Sequence, residues 1–276
     1  MAGEKTGITG MEFPLLNYLI FLISKLFGFA HWYGRLLNLV VSSIGVYFFY
    51  LLIKKYIQPK LAFYAGIILL SSIWFNYSRK IMPDTFSVSF VLISIYYALK
   101  FLDHGTYWRL LLFFMFATLG VLSKIPSIYL LTILCIPLFD KNILIKRKLS
   151  VVLAGSGALV IISSWYFYWV PYLVITYEYW HYYMGTSFMH GFKELVTHFD
   201  QAAEKFYFDA LNYVGFGMFV MGIIFAFIKK NKLLINIFII TTLFFAIFMT
   251  KAGYNFAHHS YYIIPYTIIM ASMAAL

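Results

Sequence analysis

A single cysteine, Cys135, stands in 276 residues. It excludes an intrachain disulfide and any cysteine-rich metal cluster, and its place inside an apolar run reads as a small core hydrophobe. Charge is equally scarce. Asp, Glu, Lys and Arg together make 11% of the chain, against roughly 25% in a soluble domain, and acidic residues number only 10. No Gly-rich phosphate loop, no His-Glu-x-x-His and no Gly-x-Ser-x-Gly occurs, so the familiar soluble nucleotidase, zinc-protease and serine-hydrolase chemistries are excluded. Met1–Gly10 carries no apolar stretch and no cleavage site, so it is no signal peptide. Asn76-Tyr77-Ser78 is a formal glycosylation sequon, but it abuts an apolar block.

What is abundant is apolar sequence. Hydrophobic residues make 63% of the chain and aromatics 22%. They fall into blocks of roughly 16–20 residues, close to what a bilayer core of about 30 Å requires. Lipid offers no hydrogen bonds, so each block is expected to be helical. The expected spans are 36–53, 61–75, 86–102, 110–123, 125–139, 151–169, 211–228, 233–249 and 261–276. The fold class is therefore all-α: a polytopic bundle of about nine spans, with juxtamembrane helices on its outer face. Phe13–Phe27 carries Asn17 and Lys25 and is marginal for spanning, which predicts one such surface helix. The expected organisation is an outer segment 1–35, spans in 36–170, an outer loop 171–210 and further spans in 211–276. The bare apolar ending at Leu276 and the bare Met1–Gly10 suggest a truncated chain.

The net charge of +11 does not indicate nucleic acid, because the cations sit in short loops between apolar blocks. Lys54, Lys55 and Lys60 fill one loop; Lys100 and Arg109 bracket another. Lys141, Lys146, Arg147 and Lys148 fill a third, and Lys229, Lys230 and Lys232 a fourth. With these spans all four fall on one face, which the positive-inside rule makes cytoplasmic. The opposite face receives six of the seven histidines (His31, His181, His190, His198, His258 and His259) and, in the loop 171–210, half of the acidic residues (Glu178, Glu194, Asp200, Glu204 and Asp209). Within that loop Phe192, Leu195, Val196, Phe199, Ala203, Phe206 and Ala210 recur at helical spacing, predicting an amphipathic helix on the outer surface. The aromatic run 177–185 before it fits an interfacial belt or a sugar or lipid platform.

Candidate chemistry lies at the outer ends of the spans. Arg79 and Lys80 are cations on the face where topology disfavours them, and an anionic lipid phosphate would explain them. Asp84 follows Pro83 and opens a helix, which also fits an N-cap. Lys124 joins two apolar runs, where a lysine either faces a cavity or partner or snorkels to the interface. His258 and His259 precede Tyr261 and Pro265, a pairing able to bind a metal or a phosphate. Asp84 and Lys124 are the catalytic candidates. Arg79, Lys80, Lys124, Glu178, His258, His259 and Tyr261 are the candidates for holding substrate or phosphate. No metal ligand set is assigned, and a divalent metal is left open as a cofactor.

Five stretches in order resemble the membrane part of the GT-C glycosyltransferases: Glu12-Phe-Pro-Leu-Leu-Asn-Tyr18 with Lys25-Leu-Phe-Gly28, Arg35 opening a span, Arg79-Lys-Ile-Met-Pro-Asp84, Thr118-Leu-Gly-Val-Leu-Ser-Lys-Ile-Pro126, and Tyr261-Tyr-Ile-Ile-Pro265. More narrowly they are similar to the bacterial branch with protein O-mannosyltransferase-like enzymes and the aminoarabinose transferase of lipid A. The resemblance implies transfer of a sugar from a polyprenyl-phosphate carrier to a lipid or protein acceptor on the outer, periplasmic or extracellular, side of a bacterial inner membrane. It also implies an upstream outer loop bearing an acidic general base. Glu4 and Glu12 do not match that motif, so the expectation is that the base is missing here, with Asp84 and Glu178 as weak substitutes. The competing readings are a lipid-linked sugar polymerase, ligase or flippase, and a transporter. A transporter places its polar residues at mid-membrane, whereas here they gather at the outer span ends.

Overall fold

Every apolar block becomes helical, as a backbone without water must. The computed structural model describes residues 11–178 and 185–276, and among these no strand occurs. In chain order the α-helices are α1 (Leu15–Phe27), α2 (Tyr33–Tyr56), α3 (Pro59–Leu70), α4 (Ile73–Tyr77), α5 (Pro83–His104), α6 (Tyr107–Ser123), α7 (Cys135–Leu138), α8 (Ile145–Ser163), α9 (Val170–Tyr177), α10 (Phe188–Thr197), α11 (Phe199–Glu204), α12 (Asn212–Ile228), α13 (Lys232–Ala252), α14 (Tyr254–His258) and α15 (Ile264–Ala274). Ile125–Leu134 and Ser260–Ile263 wind as 3₁₀-helices, and Ser164–Trp169 and Lys205–Ala210 as π-helical turns.

α5 is the axis of the bundle. Of the helices long and apolar enough to cross a membrane it is 72% buried, whereas Tyr33–Tyr56, Ile145–Tyr177 and Lys232–Ala252 are 17–28% buried and turn most of their surface outward. That outward surface is apolar, as a lipid-facing wall must be. Small residues let α2 approach α5: a Cβ on Gly45 would collide with Ser89. Such small-residue contacts are how helices associate where no hydrophobic effect drives them together. Gly222 of α12 likewise packs on the Met273 carbonyl of α15.

The span count differs from the sequence reading. Four helices among the described residues are long and apolar enough to cross, or five if the bent pair Phe199–Ala210 and Asn212–Ile228 is one span. The remaining blocks are shorter or broken. α3 stops at Ser71, α6 has 17 residues, and 125–138 is mostly 3₁₀-helix. In the other direction, 151–169 belongs to a continuous helix, Ile145–Tyr177, of 33 residues. The π-helical turn lets it run on past Trp169 into the expected outer loop.

The two ends of the bundle are chemically distinct. At one end Lys55 and Tyr56 of α2 bond Asp103 of α5, and Arg147 of α8 donates to the Leu102 and Asp103 carbonyls, capping α5. An apolar cavity at this end is lined by Ile57, Asp140 and Leu233 as well. The four basic loops therefore share one end, as the charge pattern predicts. The opposite end carries Glu12, Tyr77, Lys124, Asp209 and Ser260.

α1 is 13 residues long, about 20 Å at 1.5 Å per residue, and so lies short of a span as expected. The amphipathic stretch 192–210 is not one helix. It breaks at His198 into α10 and α11 and ends in a π-helical turn. Phe188, Met189, Phe192, Val196 and Phe199 point outward along it. Gly191 packs directly on the Thr250 carbonyl, and Glu194 accepts from the Tyr254 amide, 3.0 Å. These contacts pin α10 to the C-terminal end of α13. The aromatic run 177–185 and His181 lie largely outside the described residues.

This arrangement predicts the outcome of single-cysteine labelling in a Cys135→Ala background. Cysteines at positions 147 and 230 label from one side of the membrane and cysteines at 178 and 259 from the other. Labelling of 147 and 259 from the same side would overturn the topology.

Candidate functional site

The site begins where α6 has to stop. Pro126 disfavours helical geometry before it, and Lys124 is extended at φ −162° and ψ 109°. Buried Ser87 of α5 fixes this break. Its hydroxyl lies 2.7 Å from the Gly120 carbonyl, 3.1 Å from the Lys124 carbonyl and 2.7 Å from the Ser127 hydroxyl. Ser127 in turn donates to the Lys124 carbonyl, 2.9 Å. The backbone of Lys124 is thus held while its side chain projects inward.

Lys124 Nζ meets Glu12 Oε1 at 2.7 Å, and the two side chains are only 11% and 18% exposed. Asp84, one turn before Ser87 on α5, is buried and acts electrostatically on both. Its Oδ2 has no hydrogen-bond partner. The Tyr261 ring takes the ammonium at 5.4 Å from its centroid. Glu12 is in turn pinned by its own chain neighbours. Phe13 N donates to the Leu122 carbonyl, 3.0 Å, and Trp165 Nε1 to the Met11 carbonyl, 2.9 Å. The Phe13 and Trp165 rings meet edge-on at 4.9 Å. The ammonium therefore pairs with a carboxylate from a segment far away in the chain and feels the charge of a second, whose buried Oδ2 is orphaned. Such a group, buried without a partner, calls for a proton or a ligand.

A second charged surface lies one aromatic layer away. Asn38 of α2, fully buried, donates to the carbonyls of Tyr77, Lys80 and Met82 at 3.0, 2.8 and 3.1 Å. Its own oxygen accepts from Ser42 and Thr85, 3.2 Å each. This clamp sets the turn 77–82. Arg79 lies over the Phe75 ring at 4.1 Å and Lys80 over the Tyr77 ring at 4.0 Å. With Arg35, Asp209, Asn212 and Ser260 they line a polar cavity of about 930 Å³. Tyr77 Oη bonds Ser260 Oγ at 3.0 Å, and the Tyr77 and Tyr261 rings are 6.3 Å apart. The wall Tyr77–Ser260–Tyr261 thus stands between this cavity and Lys124.

The paired histidines sit on the same wall. His259 stacks on Tyr261 at 5.1 Å and contacts His258 at 4.8 Å; His258 stacks on Tyr254 at 5.5 Å. Burial, then His258, Lys124 and Lys205, hold His259 below its ordinary value, so it is neutral at pH 7. Among the described residues no group of three His, Cys, Asp or Glu side chains could hold a metal ion.

The structure thus joins Asp84 and Lys124, the two catalytic candidates, with Tyr261. It places Arg79 and Lys80 in the adjacent cavity, and Lys124 does not line that cavity. Asp84 is not an N-cap. Met82 holds that position, and Asp84 lies in the first turn, where its charge favours the helix dipole. Glu178 ends α9 in a left-handed conformation, φ 56°, exposed. Sequence reasoning missed Glu12 as a partner of Lys124. The signal was present, since Glu12 opens the Glu-Phe-Pro stretch and acidic residues are rare, but 112 residues separate the pair.

Residues 12–169 match the family described as dolichyl-phosphate-mannose-protein mannosyltransferase. That segment contains Glu12, Asp84 and Lys124. Two solved structures share the fold: ArnT from Cupriavidus metallidurans bound to undecaprenyl phosphate, with a TM-score of 0.59 at 14% identity, and the same protein in its apo state, with 0.56 at 15%. Each covers 97% of this chain, which spans 50% and 49% of theirs, about half their length. No curated protein sequence matches.

Removing one member of a buried ion pair strands the other, at a cost of about 3–5 kcal/mol, whereas replacing both is far milder. Glu12→Gln is therefore expected to lower the thermal unfolding midpoint in detergent, and Glu12→Gln with Lys124→Met to recover most of the loss. A midpoint unchanged by Glu12→Gln would show that the pair contributes nothing to the fold.

Proposed function

Because the chain belongs to the dolichyl-phosphate-mannose-protein mannosyltransferase family, we propose that it is the membrane part of a GT-C glycosyltransferase that moves a sugar from a polyprenyl-phosphate carrier to an acceptor on the outer face of the membrane. The observation that carries this reading is the Glu12–Lys124–Asp84 cluster at the end of the bundle opposite the basic loops. Sugar transfer from a phosphate carrier breaks the bond between the anomeric carbon and the phosphate oxygen and forms one to an acceptor oxygen. Positive charge develops on the sugar, negative charge on the leaving phosphate, and the acceptor must lose a proton. Carboxylates suit the first and last of these demands, and cations the second.

Asp84 and Lys124 take the catalytic roles in this proposal. The free Oδ2 of Asp84 is the oxygen that faces the sugar or takes the proton. Lys124, in the low dielectric of a buried site, pairs with Glu12 and acts on the nearby Asp84. With one ammonium against two carboxylates the cluster carries no surplus positive charge, so it does not by itself account for holding a phosphate. An apolar cavity of about 660 Å³, lined by Ile125, Tyr129, Thr132, Phe248 and Tyr262 among others, opens next to Tyr261. Its walls suit a carrier's hydrocarbon chain.

The test is transfer by the full-length protein in nanodiscs with labelled polyprenyl-phosphate sugar. Lys124→Ala is expected to lower kcat on the order of 10²–10³-fold, the usual loss for one preorganised electrostatic contact, with a smaller change in KM. An unchanged kcat in a folded Lys124→Ala protein would remove the cluster from the mechanism.

A further inference from the structure

We infer that Trp165 and Tyr166, on the π-helical turn that follows α8, are positioning residues that fix where Glu12 meets Lys124. Resting on the transferase reading above, this names what sets the geometry of that site.

α6 ends with carbonyls that have no partner in the helix, and where water is excluded each of them needs one. The Leu122 carbonyl would bond the amide of residue 126, but that residue is Pro126 and has no N–H. Two groups from elsewhere fill the gap. Phe13 N donates to it at 3.0 Å and Tyr166 Oη at 3.1 Å. Trp165 Nε1 donates to the Met11 carbonyl at 2.9 Å, and its ring meets Phe13 edge-on. Glu12 is therefore held through both of its chain neighbours, and Tyr166 shares an acceptor with Phe13 two residues before Lys124.

The π-helical turn lets one helix make both contacts. An α-helix rotates about 100° per residue, so neighbours in sequence diverge. A turn closed from i to i+5 holds more residues and rotates each by less, and such turns recur at functional sites. Trp165 and Tyr166 accordingly both turn toward the bundle, and the next buried side chain of this helix is Val170, 1% exposed. Phe167, Tyr168 and Trp169 on the same turn are 79%, 70% and 41% exposed. Those three fit an interfacial aromatic belt. Trp165 and Tyr166 do not, because their donors are directed at two backbone carbonyls of the site.

The consequence is specific to the Glu12–Lys124 pair. Ser87 and Ser127 already fix the Lys124 backbone, so loss of the Trp165 and Tyr166 donors leaves Lys124 in place and loosens Glu12. A Glu12 carboxylate out of register leaves the ammonium to pair with Asp84, whose orphaned Oδ2 the proposed reaction uses.

Two measurements on the full-length protein test this, and the first needs no turnover. Unfolding midpoints in detergent are taken for the wild type, Glu12→Gln, Lys124→Met and the pair together, which gives the coupling between the two charges. The same four are taken with Trp165→Phe and Tyr166→Phe in place, which keep the rings and remove only the polar donors. The coupling is expected to fall to about half or less, since two of the three hydrogen bonds around Glu12 are gone. Aromatics that only support the fold would lower all four midpoints alike and leave the coupling unchanged, and that result would overturn the inference. In the second measurement, transfer from labelled polyprenyl-phosphate sugar in nanodiscs, Trp165→Phe with Tyr166→Phe is expected to lower kcat about tenfold or more with little change in KM. Phe167→Ala, exposed on the same turn, should leave kcat unchanged. Full kcat in the Trp165→Phe, Tyr166→Phe protein would also overturn the inference. Each single substitution is expected to give part of the same loss, which keeps the test open if the double variant folds poorly. Absence of transfer by the wild type with any donor would remove the transferase reading alone, and the coupling would still decide whether Trp165 and Tyr166 position Glu12.

Discussion

The end of the bundle opposite the basic loops depends on one buried ion pair, Lys124 with Glu12. An ammonium in a low-dielectric setting is costly unless opposite charge accompanies it. Lys124 meets that requirement by drawing together three pieces of chain. Glu12 comes from the segment before α1, Asp84 from the start of α5, and Lys124 from the break between α6 and the 3₁₀-helix. Each piece is fixed independently, by Trp165 and Leu122, by the α5 backbone, and by Ser87 with Ser127. The charges therefore meet at a defined place and do not define it alone. That separation of support from chemistry is what a preorganised site needs.

Much of the fold was legible because membranes impose simple rules. Apolar blocks had to be helices, and Lys54, Arg147 and Lys230 had to share an end. The contacts of Lys55 and Arg147 with Asp103 and the Asp103 carbonyl agree with that. The length of each helix was less legible. Ser164–Trp169 continues a helix that composition alone ends, because a π-helical turn is a backbone adjustment with no composition of its own. The bend of 95° between 199–210 and 212–228, where Asn212 takes a left-handed φ of 56°, and the break at His198, beside which α10 packs on α13, are features that no periodicity reports.

The site was legible in part for a similar reason. Lys124 and Asp84 stood out because charge in an apolar chain needs a cause. Arg79 and Lys80 stood out because the charge pattern expects few cations on their side of the spans. What the sequence could not supply was their grouping. Lys124 shares a cluster with Glu12 and Asp84, while Arg79 and Lys80 share a cavity with Arg35. The partition is made by Tyr77, Ser260 and Tyr261, and side-chain pairing across 112 residues leaves no periodic trace. Arg35 was read as the opening of a span, and only the turn clamped by Asn38 shows that it faces the same cavity.

On the proposed mechanism the sugar is transferred beside the Asp84–Lys124 cluster. An experimental structure of the full-length protein with a non-hydrolysable sugar-bearing carrier tests it most directly. The anomeric carbon is expected on the Tyr261 side of the cluster, with a reacting carboxylate or acceptor oxygen at about 3–3.5 Å, the distance of a near-attack geometry. A sugar bound elsewhere, with the Glu12–Lys124 pair unchanged and remote from it, would contradict the claim.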